Sequence, residues 1–337
     1  MNMMVSILTP IYNVEKYIER CAVSLFEQTY ENIEYVFVDD CSPDLSIEVL
    51  KQVMSRYPNR LSQIKIITHD KNRGVATSRN TAFDNCTGEF VCYVDPDDYL
   101  NLNSVELLAK QQSRTDSDIV TGMALMHTTD KEILMPHPHY ETKEEMVRDL
   151  MQLNGYHSLW KRLIRKSLFQ EFGISAKDGV NNGEDCWIMT QLAYYSSSFS
   201  FVDEIVYHYD YTREDSISDK GKGKINKKQI QDVITTANLL IDFFKDKEHV
   251  YQAVAKQEAV KYLHLTLARA ACSNDSKLFG EMLTEIRKYG KQYWAAIGWD
   301  NSFKRLMSQN IYSCRAYHLL MIFYYKYQSI KNNPENT

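Results

Sequence analysis

The sequence predicts an α/β fold with a mostly parallel sheet flanked by helices, followed by an all-helical C-terminal region. Three observations predict it. Over about the first 125 residues, short β-prone runs alternate with helical patterns, the mark of βαβ units. Polar, turn-forming residues gather immediately after those runs. Beyond about residue 225 the apolar residues recur three and four apart, as on the buried face of a helix.

The elements follow in order. Residues 5–8 read as the first strand, with a helix over 15–28. Residues 33–38 are the second, with a helix over 45–56, and residues 64–68 the third, with a helix over 75–85. The fourth strand is 90–94, and after a helix near 104–114 a fifth covers 119–123. Parallel neighbours need a crossover of a dozen residues or so, and the helices supply it. From 126 to 211 the pattern is mixed, with helices near 143–153 and 185–195 and a strand near 201–207. Residues 212–228, which include Lys220-Gly221-Lys222-Gly223-Lys224, read as a mobile loop and a domain boundary. Residues 225–331 are helical in pattern, with Ile234, Leu239, Ile241, Phe244, Val260, Leu263 and Leu267 at helical spacing.

Composition narrows the function classes. At 337 residues the prior is about two domains. A net charge of -5 lacks the basic footprint of a nucleic-acid binder, so no nucleic-acid partner is expected. The seven cysteines are odd in number and never spaced as CxxC, which points to reduced thiols rather than a disulfide frame or a zinc site. The stretch before Thr9-Pro10 is too short for a signal peptide. No apolar run approaches the roughly 20 residues of a membrane span. The expectation is a cytoplasmic protein, with a peripheral contact to the inner face of the membrane as a further reading. Tyrosine, 23 residues against 4 Trp, suits wet, ring-lined grooves such as sugar sites.

In open parallel sheets ligands bind beyond the carboxyl ends of the strands. Four such ends carry chemistry here. Thr9-Pro10-Ile11-Tyr12-Asn13 supplies a hydroxyl, a rigid proline and an aromatic; Asp39-Asp40-Cys41-Ser42 supplies two acids. His69-Asp70-Lys71-Asn72-Arg73-Gly74 precedes a helix bearing Arg79, and Phe90-Val91-Cys92-Tyr93-Val94 ends in Asp95-Pro96-Asp97-Asp98. Clustered acids repel unless a cation neutralises them, so the last group reads as a site for a hard divalent metal. Together the loops offer a ring to stack on a base, a carboxylate for a base or ribose, a guanidinium for phosphate, and metal ligands. That set suits a nucleoside diphosphate. Plainer readings stand beside each one: an acidic turn before the helix near Asn103, Asp40 capping the helix near Asp44, Tyr12 in the core, and Arg79 in a surface ion pair.

The chain also resembles a known family on these residues. The run Val5-Ser6-Ile7-Leu8-Thr9-Pro10-Ile11-Tyr12-Asn13, then Gln28-Thr29-Tyr30-Glu31-Asn32-Ile33-Glu34, Val38-Asp39-Asp40-Cys41-Ser42, Asn72-Arg73-Gly74-Val75-Ala76-Thr77-Ser78-Arg79-Asn80, Gly88-Glu89-Phe90 and the acids at 95–98 is similar to the family 2 glycosyltransferases with a GT-A fold, of the bacterial surface-polysaccharide type. Cys41 and Pro96 depart from the commoner residues, but no carboxylate is lost. The resemblance spans residues 4–218 and implies a Rossmann-like catalytic domain over 1–220, its nucleotide-sugar half at 1–125 and its acceptor half at 126–220, before a helical domain at 221–337. It implies an inverting transferase that moves a hexose or N-acetylhexosamine from a nucleotide sugar, usually a UDP-sugar, with Mn²⁺ or Mg²⁺ as cofactor. The acceptor would be an oligosaccharide or a lipid-linked glycan. Carried onto this chain, Thr9, Pro10, Tyr12, Asp40, Asn72, Arg79, Asp95 and Arg213 bind the nucleotide sugar, and Asp97 and Asp95 hold the metal.

Asn181-Asn182-Gly183-Glu184-Asp185 is the second candidate site. Alone, a Glu-Asp pair at a helix start reads as capping or as a favourable dipole interaction. In the family it resembles, such a pair supplies the catalytic base, and Asp185 stands 88 residues after Asp97. Asp185 is therefore the expected base, with Glu184 orienting it or the acceptor. Trp160, in Leu159-Trp160-Lys161-Arg162-Leu163, is an acceptor platform or a core residue. His208 reaches the metal or is structural. The aromatic run 317–327 is an interfacial membrane helix or, on the plainer reading, a core or homodimer-packing helix. Two rival functions remain: a catalytically silent nucleotide-sugar-binding or scaffold protein, and a sugar nucleotidyltransferase.

Overall fold

The computed structural model describes residues 3–138, 140–151, 157–213, 226–272 and 276–288. By contacts the chain divides into one unit of residues 1–150 with 154–214 and another of 151–153 with 215–337.

In the first unit β1 (Val5–Ile11), β2 (Ile33–Asp39), β3 (Ile64–Thr68) and β4 (Phe90–Tyr93) run parallel in the order β3-β2-β1-β4. Every residue of β1 and β2 is buried, as expected of central strands covered on both faces. The crossovers are α1 (Ile18–Phe26), α2 (Ser46–Ser55), then a 3₁₀ turn at Pro58–Gln63, and α3 (Val75–Asp84). On one face Ile18, Leu25 and Phe26 of α1 meet Tyr35 and Phe37 of β2, with the Phe26 and Tyr35 rings edge-on at 5.2 Å.

Beyond β4 the sheet turns mixed. It continues through β5 (Tyr99–Leu100), β6 (Ile119–His127), β7 (Glu132–Met135), β8 (Arg162–Arg165) and β9 (Phe199–Asp210), in the order β4-β8-β6-β9-β5 with β7 on β6. The pairs β4·β8, β6·β8, β6·β7 and β5·β9 are antiparallel, while β6·β9 is parallel. The parallel expectation therefore describes the first four strands, and the antiparallel strand β8 inserts beside β4. Helices α4 (Ser104–Thr115), α5 (Lys143–Leu150), α6 (Lys166–Phe172) and α7 (Glu184–Tyr195) complete the unit.

Two strand bounds differ from the sequence reading in a way that matters. β1 runs to Ile11, so Thr9 and Pro10 lie in the strand and not in a turn. Pro10 is tolerated there because of which flank it faces. Leu8 O accepts from Val94 N on the β4 side, Pro10 faces that same side two residues on, and β4 pairs no further than Leu8. The missing N–H thus falls past the end of the ladder. β9 extends well beyond the expected 201–207, reaching Asp210.

The second unit, within the described residues, holds α8 (Lys227–Phe244), α9 (His249–Cys272) and α10 (Ser276–Arg287). Asn226 and Gln229 close a capping box at the start of α8. The buried face of α8 is Ile230, Val233, Ala237, Leu240 and Phe244, with Ile234 and Ile241 on its flank. No helix of the described residues is long and apolar enough to cross a membrane. The aromatic run 317–327 and most of the Lys/Gly-rich loop lie outside the described residues.

Candidate active site

The three carboxylates after β4 go three ways. Asp98 turns inward and is fully buried. Its Oδ2 accepts from Tyr207 OH at 2.7 Å and its Oδ1 from Asp210 N at 2.8 Å. Tyr207 OH in turn accepts from Asp95 N at 3.1 Å. Asp98 therefore fastens the acid loop to β9. Burial, then the charges of Asp97 and Asp95, push its carboxyl well above the usual range. Asp97 takes Arg213 Nη1 on Oδ2 at 3.0 Å, and its backbone oxygen accepts from Arg20 Nη2 at 2.8 Å. Arg20 also donates to Asp210 Oδ2 at 2.6 Å and lies 4.6 Å over the Tyr99 ring. Burial and Asp95 raise the Asp97 carboxyl even against the pull of Arg213. Asp95 accepts from Arg79 Nη2 at 3.1 Å.

Arg79 joins this loop to the Glu184-Asp185 pair. It is buried on α3, with one arm on Asp95 and the other on Glu184. Burial works against its charge, yet Glu184 and Asp95 hold it above the ordinary arginine value. Burial lifts the Glu184 carboxyl to about 7, and Arg79 pulls it the other way. Helix α7 starts from Gly183 in a left-handed conformation (φ 93°) with no side-chain cap, so neither acid serves as the cap. Asp185 instead accepts from Cys186 N on Oδ1 at 2.8 Å, which fixes its direction.

The segment before α7 is strapped to the start of α3. Asn181 Oδ1 accepts from Ala76 N at 3.2 Å, Asn80 exchanges bonds of 2.9 Å with the backbone of Ala176, and Thr77 Oγ1 donates to Asp178 at 3.3 Å. Gly74, at φ 88°, leaves room for this: a Cβ there would stand 2.3 Å from the Asn181 side chain.

The remaining predicted residues fall as follows. Thr9 is buried, and its Oγ1 has no partner among the described residues. Tyr12 is 44 % exposed, which sets aside the core reading. Asn72 is exposed in the loop after β3. Asp40 neither caps α2 nor stands open. Its Oδ1 bonds His69 Nδ1 at 2.7 Å and Arg73 N at 2.8 Å, and its Oδ2 takes Gly74 N at 2.7 Å. Its carboxylate shapes the loop that carries Asn72. Asp44 supports the start of α2 instead, through Ser46. The Asp39 carboxylate accepts from Ser42 N at 2.9 Å. Trp160 is half-buried and stacks on Tyr207 at 4.7 Å and Tyr209 at 5.5 Å. His208 places Nδ1 on His127 at 2.9 Å and Nε2 on Asn101 at 2.9 Å, so both ring nitrogens are engaged away from Asp97.

An α/β sheet whose strand-end loops converge in this way invites comparison with known proteins. Residues 6–173 match Glycosyl transferase family 2. The chain belongs to that family. It is 31% identical over 190 residues to the uncharacterized glycosyltransferase EpsJ of Bacillus subtilis, across 54% of each protein. The chain thus spans about half the length of that relative. Among solved structures it is similar to TarS 1-349 of S. aureus in complex with UDP-GlcNAc, with a TM-score of 0.67, 20% identity and coverage of 93% and 88% of the two chains. It is also similar to the mannosyltransferase PcManGT of Pyrobaculum calidifontis in complex with GDP-Man and Mn2+, with a TM-score of 0.54, 15% identity and coverage of 95% and 88%. At these identities the structural likenesses establish the GT-A type of fold.

For a family 2 chain the donor set can be tested against a metal. Among the described residues no group of three or more His, Cys, Asp or Glu is arranged to hold an ion by itself. What the loop offers is two carboxylates, Asp95 and Asp97, both beside cationic partners. One or two carboxylates suit a hard cation that keeps waters and shares its remaining positions with substrate phosphates. The residues fit a metal bound together with a diphosphate, and do not fit an all-protein cage.

Three members of the site escaped the sequence reading of this family 2 chain. Arg20 sits on α1 and reads as a surface arginine. Tyr207 and Asp210 reach Asp98 only because β9 pairs with β5, Tyr99 opposite His208. No local pattern signals either contact.

Proposed function

We propose that this chain is an inverting, metal-dependent glycosyltransferase. It moves a hexose or N-acetylhexosamine from a nucleotide sugar, with UDP as the nucleotide, to a glycan or lipid-linked acceptor in the synthesis of a bacterial surface polysaccharide. The observation that carries the proposal is Arg79 bridging Asp95 and Glu184. It sets an acid suited to a metal that carries a diphosphate directly beside the acids suited to a base.

Inversion needs attack by the acceptor hydroxyl on the face of the anomeric carbon opposite the leaving nucleotide, with a carboxylate to take the proton. Asp185 has that role. Its bond from Cys186 N orients it, and Glu184, held by Arg79, keeps the start of α7 against the donor loops. Asp97 and Asp95 would hold Mn²⁺ or Mg²⁺, which when bound neutralises charge gathering on the departing diphosphate. Tyr12 follows β1, Asp40 follows β2 and Asn72 follows β3, and the nucleoside would lie beyond these strand ends, near Thr9 and Asp39. The stacked Trp160 and Tyr209 suit the acceptor's sugar rings. The seven cysteines, odd in number and never spaced as CxxC, support reduced thiols and a cytoplasmic setting.

The bound UDP-GlcNAc and the bound GDP-Man with Mn2+ in the two similar structures support a nucleotide-sugar donor and a divalent cation. Release of nucleotide from a panel of UDP- and GDP-sugars, with Mn²⁺ and with chelator, tests the reading. Metal-dependent release from at least one donor is expected. Tight nucleotide-sugar binding without release from any donor would sink it in favour of a silent binding protein.

A further inference from the structure

Arg213 lies on the carboxylate of Asp97, a residue that would hold the divalent cation. Its Nη1 donates to Asp97 Oδ2 at 3.0 Å, its Nη2 donates to Asn13 O at 3.2 Å, and its Cζ stands 5.3 Å over the Tyr17 ring. The pair is shielded, with side chains 12% and 18% exposed. The guanidinium thereby spans from the acid loop after β4 to the loop after β1, across the place proposed for the nucleoside diphosphate.

A guanidinium and a divalent ion on one carboxylate oxygen would stand within about 4 Å of each other, and like charges at that distance repel strongly where water is scarce. Asp97 has reason to keep a cation at all times. Its side chain is 18% exposed and stands two residues from Asp95, so a bare carboxylate there would face a second negative charge with little water to screen it. Arginine is also the side chain best able to leave such a carboxylate for a diphosphate, since its planar fork matches both groups.

We propose that Arg213 is the exchangeable counter-ion of Asp97: it yields the carboxylate to a divalent cation and passes to the phosphate oxygens of the donor. This deepens the proposed function and rests on its metal-dependent reading. Arg213 is then a positioning residue whose arm on Asp97 passes between two partners. A cation arriving alone must displace it without recompense. A cation arriving with a diphosphate supplies the guanidinium with a new partner, so cation and nucleotide promote each other's binding, by the same factor in both directions.

The test is Mn²⁺ binding to the full chain, followed by electron paramagnetic resonance and calorimetry, with and without UDP. Wild type is expected to bind Mn²⁺ weakly alone and at least about tenfold more tightly with saturating UDP, a factor matching one charge-assisted hydrogen bond. Arg213→Met is expected to bind Mn²⁺ alone about tenfold more tightly than wild type and to gain less from UDP. Arg213→Lys, which keeps the charge, should stay near wild type for Mn²⁺ alone. Equal or weaker Mn²⁺ affinity in Arg213→Met, or no coupling between Mn²⁺ and UDP in wild type, would overturn the exchange while leaving the metal-dependent reading intact. Absence of Mn²⁺ binding to wild type and variants alike, even with UDP, would overturn that reading and the exchange with it.

Discussion

Arg79 and Glu184, 105 residues apart in sequence, form a buried ion pair that joins α3 to the first residue of α7. Each side chain is 8% exposed, and the second arm of Arg79 rests on Asp95. A charge pair this deep is expensive to desolvate, so its value lies less in stability than in fixing where α7 begins. That start carries the proposed base.

Breaking the pair from one side leaves a buried charge alone. Arg79→Ala strands Glu184 and removes a partner of Asp95, and is expected to lower unfolding free energy by about 3–5 kcal/mol. Arg79→Lys should recover only part of this, because a single ammonium cannot serve both carboxylates as a fork does. Urea denaturation of the three proteins checks it. An Arg79→Ala protein as stable as wild type would show that the pair is not buried as described.

Asp185→Asn keeps the bond to Cys186 N, since an amide oxygen also accepts, and removes only the ability to take a proton. Transfer is expected to fall by about 10²–10⁴-fold with nucleotide-sugar affinity within about twofold of wild type. Turnover near normal in this variant would remove Asp185 from the role of base.

Asp97 and Asp98 are neighbours with different partners, Arg213 for one and Tyr207 with Asp210 N for the other, and their variants should fail differently. Asp97→Ala is expected to fold normally and to lose Mn²⁺-dependent donor binding by more than about tenfold. Asp98→Ala leaves Tyr207 OH and Asp210 N without their buried acceptor, a loss of about 2–4 kcal/mol in stability. Paired thermal melts and Mn²⁺-dependent UDP titrations separate the two. Matching profiles would mean that the acids act as one cluster.

The strands and their loops were legible because the physics is local. β-prone runs, turn residues and clustered acids can be read within a dozen positions. The partition of the acids could not be read, since Asp98 finds Tyr207 and Asp210 at separations of 109 and 112 residues, and Arg20 finds Asp210 at 190. The strand β8, Arg162–Arg165, was missed because it is four residues long with arginine at both ends, so no alternation could develop. In α8 the pattern of apolar residues was broad enough to admit two faces. Packing against α9 and α10 buries Ile230, Val233 and Ala237 and leaves Ile234 and Ile241 on the flank.

Lys161 gives the fold a pH dependence of calculable sign. Its side chain is buried just before β8, where burial and then the charge of Arg162 lower it from the usual 10.5 to about 7. The unfolded chain therefore binds one more proton than the folded chain between about pH 7 and 10, and stability rises with pH across that window. Lys161→Met removes this slope while keeping the length of the side chain. From pH 7 to 9 the wild type is expected to gain on the variant by at most about 2.7 kcal/mol, at 1.36 kcal/mol for each pH unit. Urea midpoints of both proteins at the two pH values measure the difference. A gap that stays constant with pH would show that Lys161 keeps its proton in the folded chain.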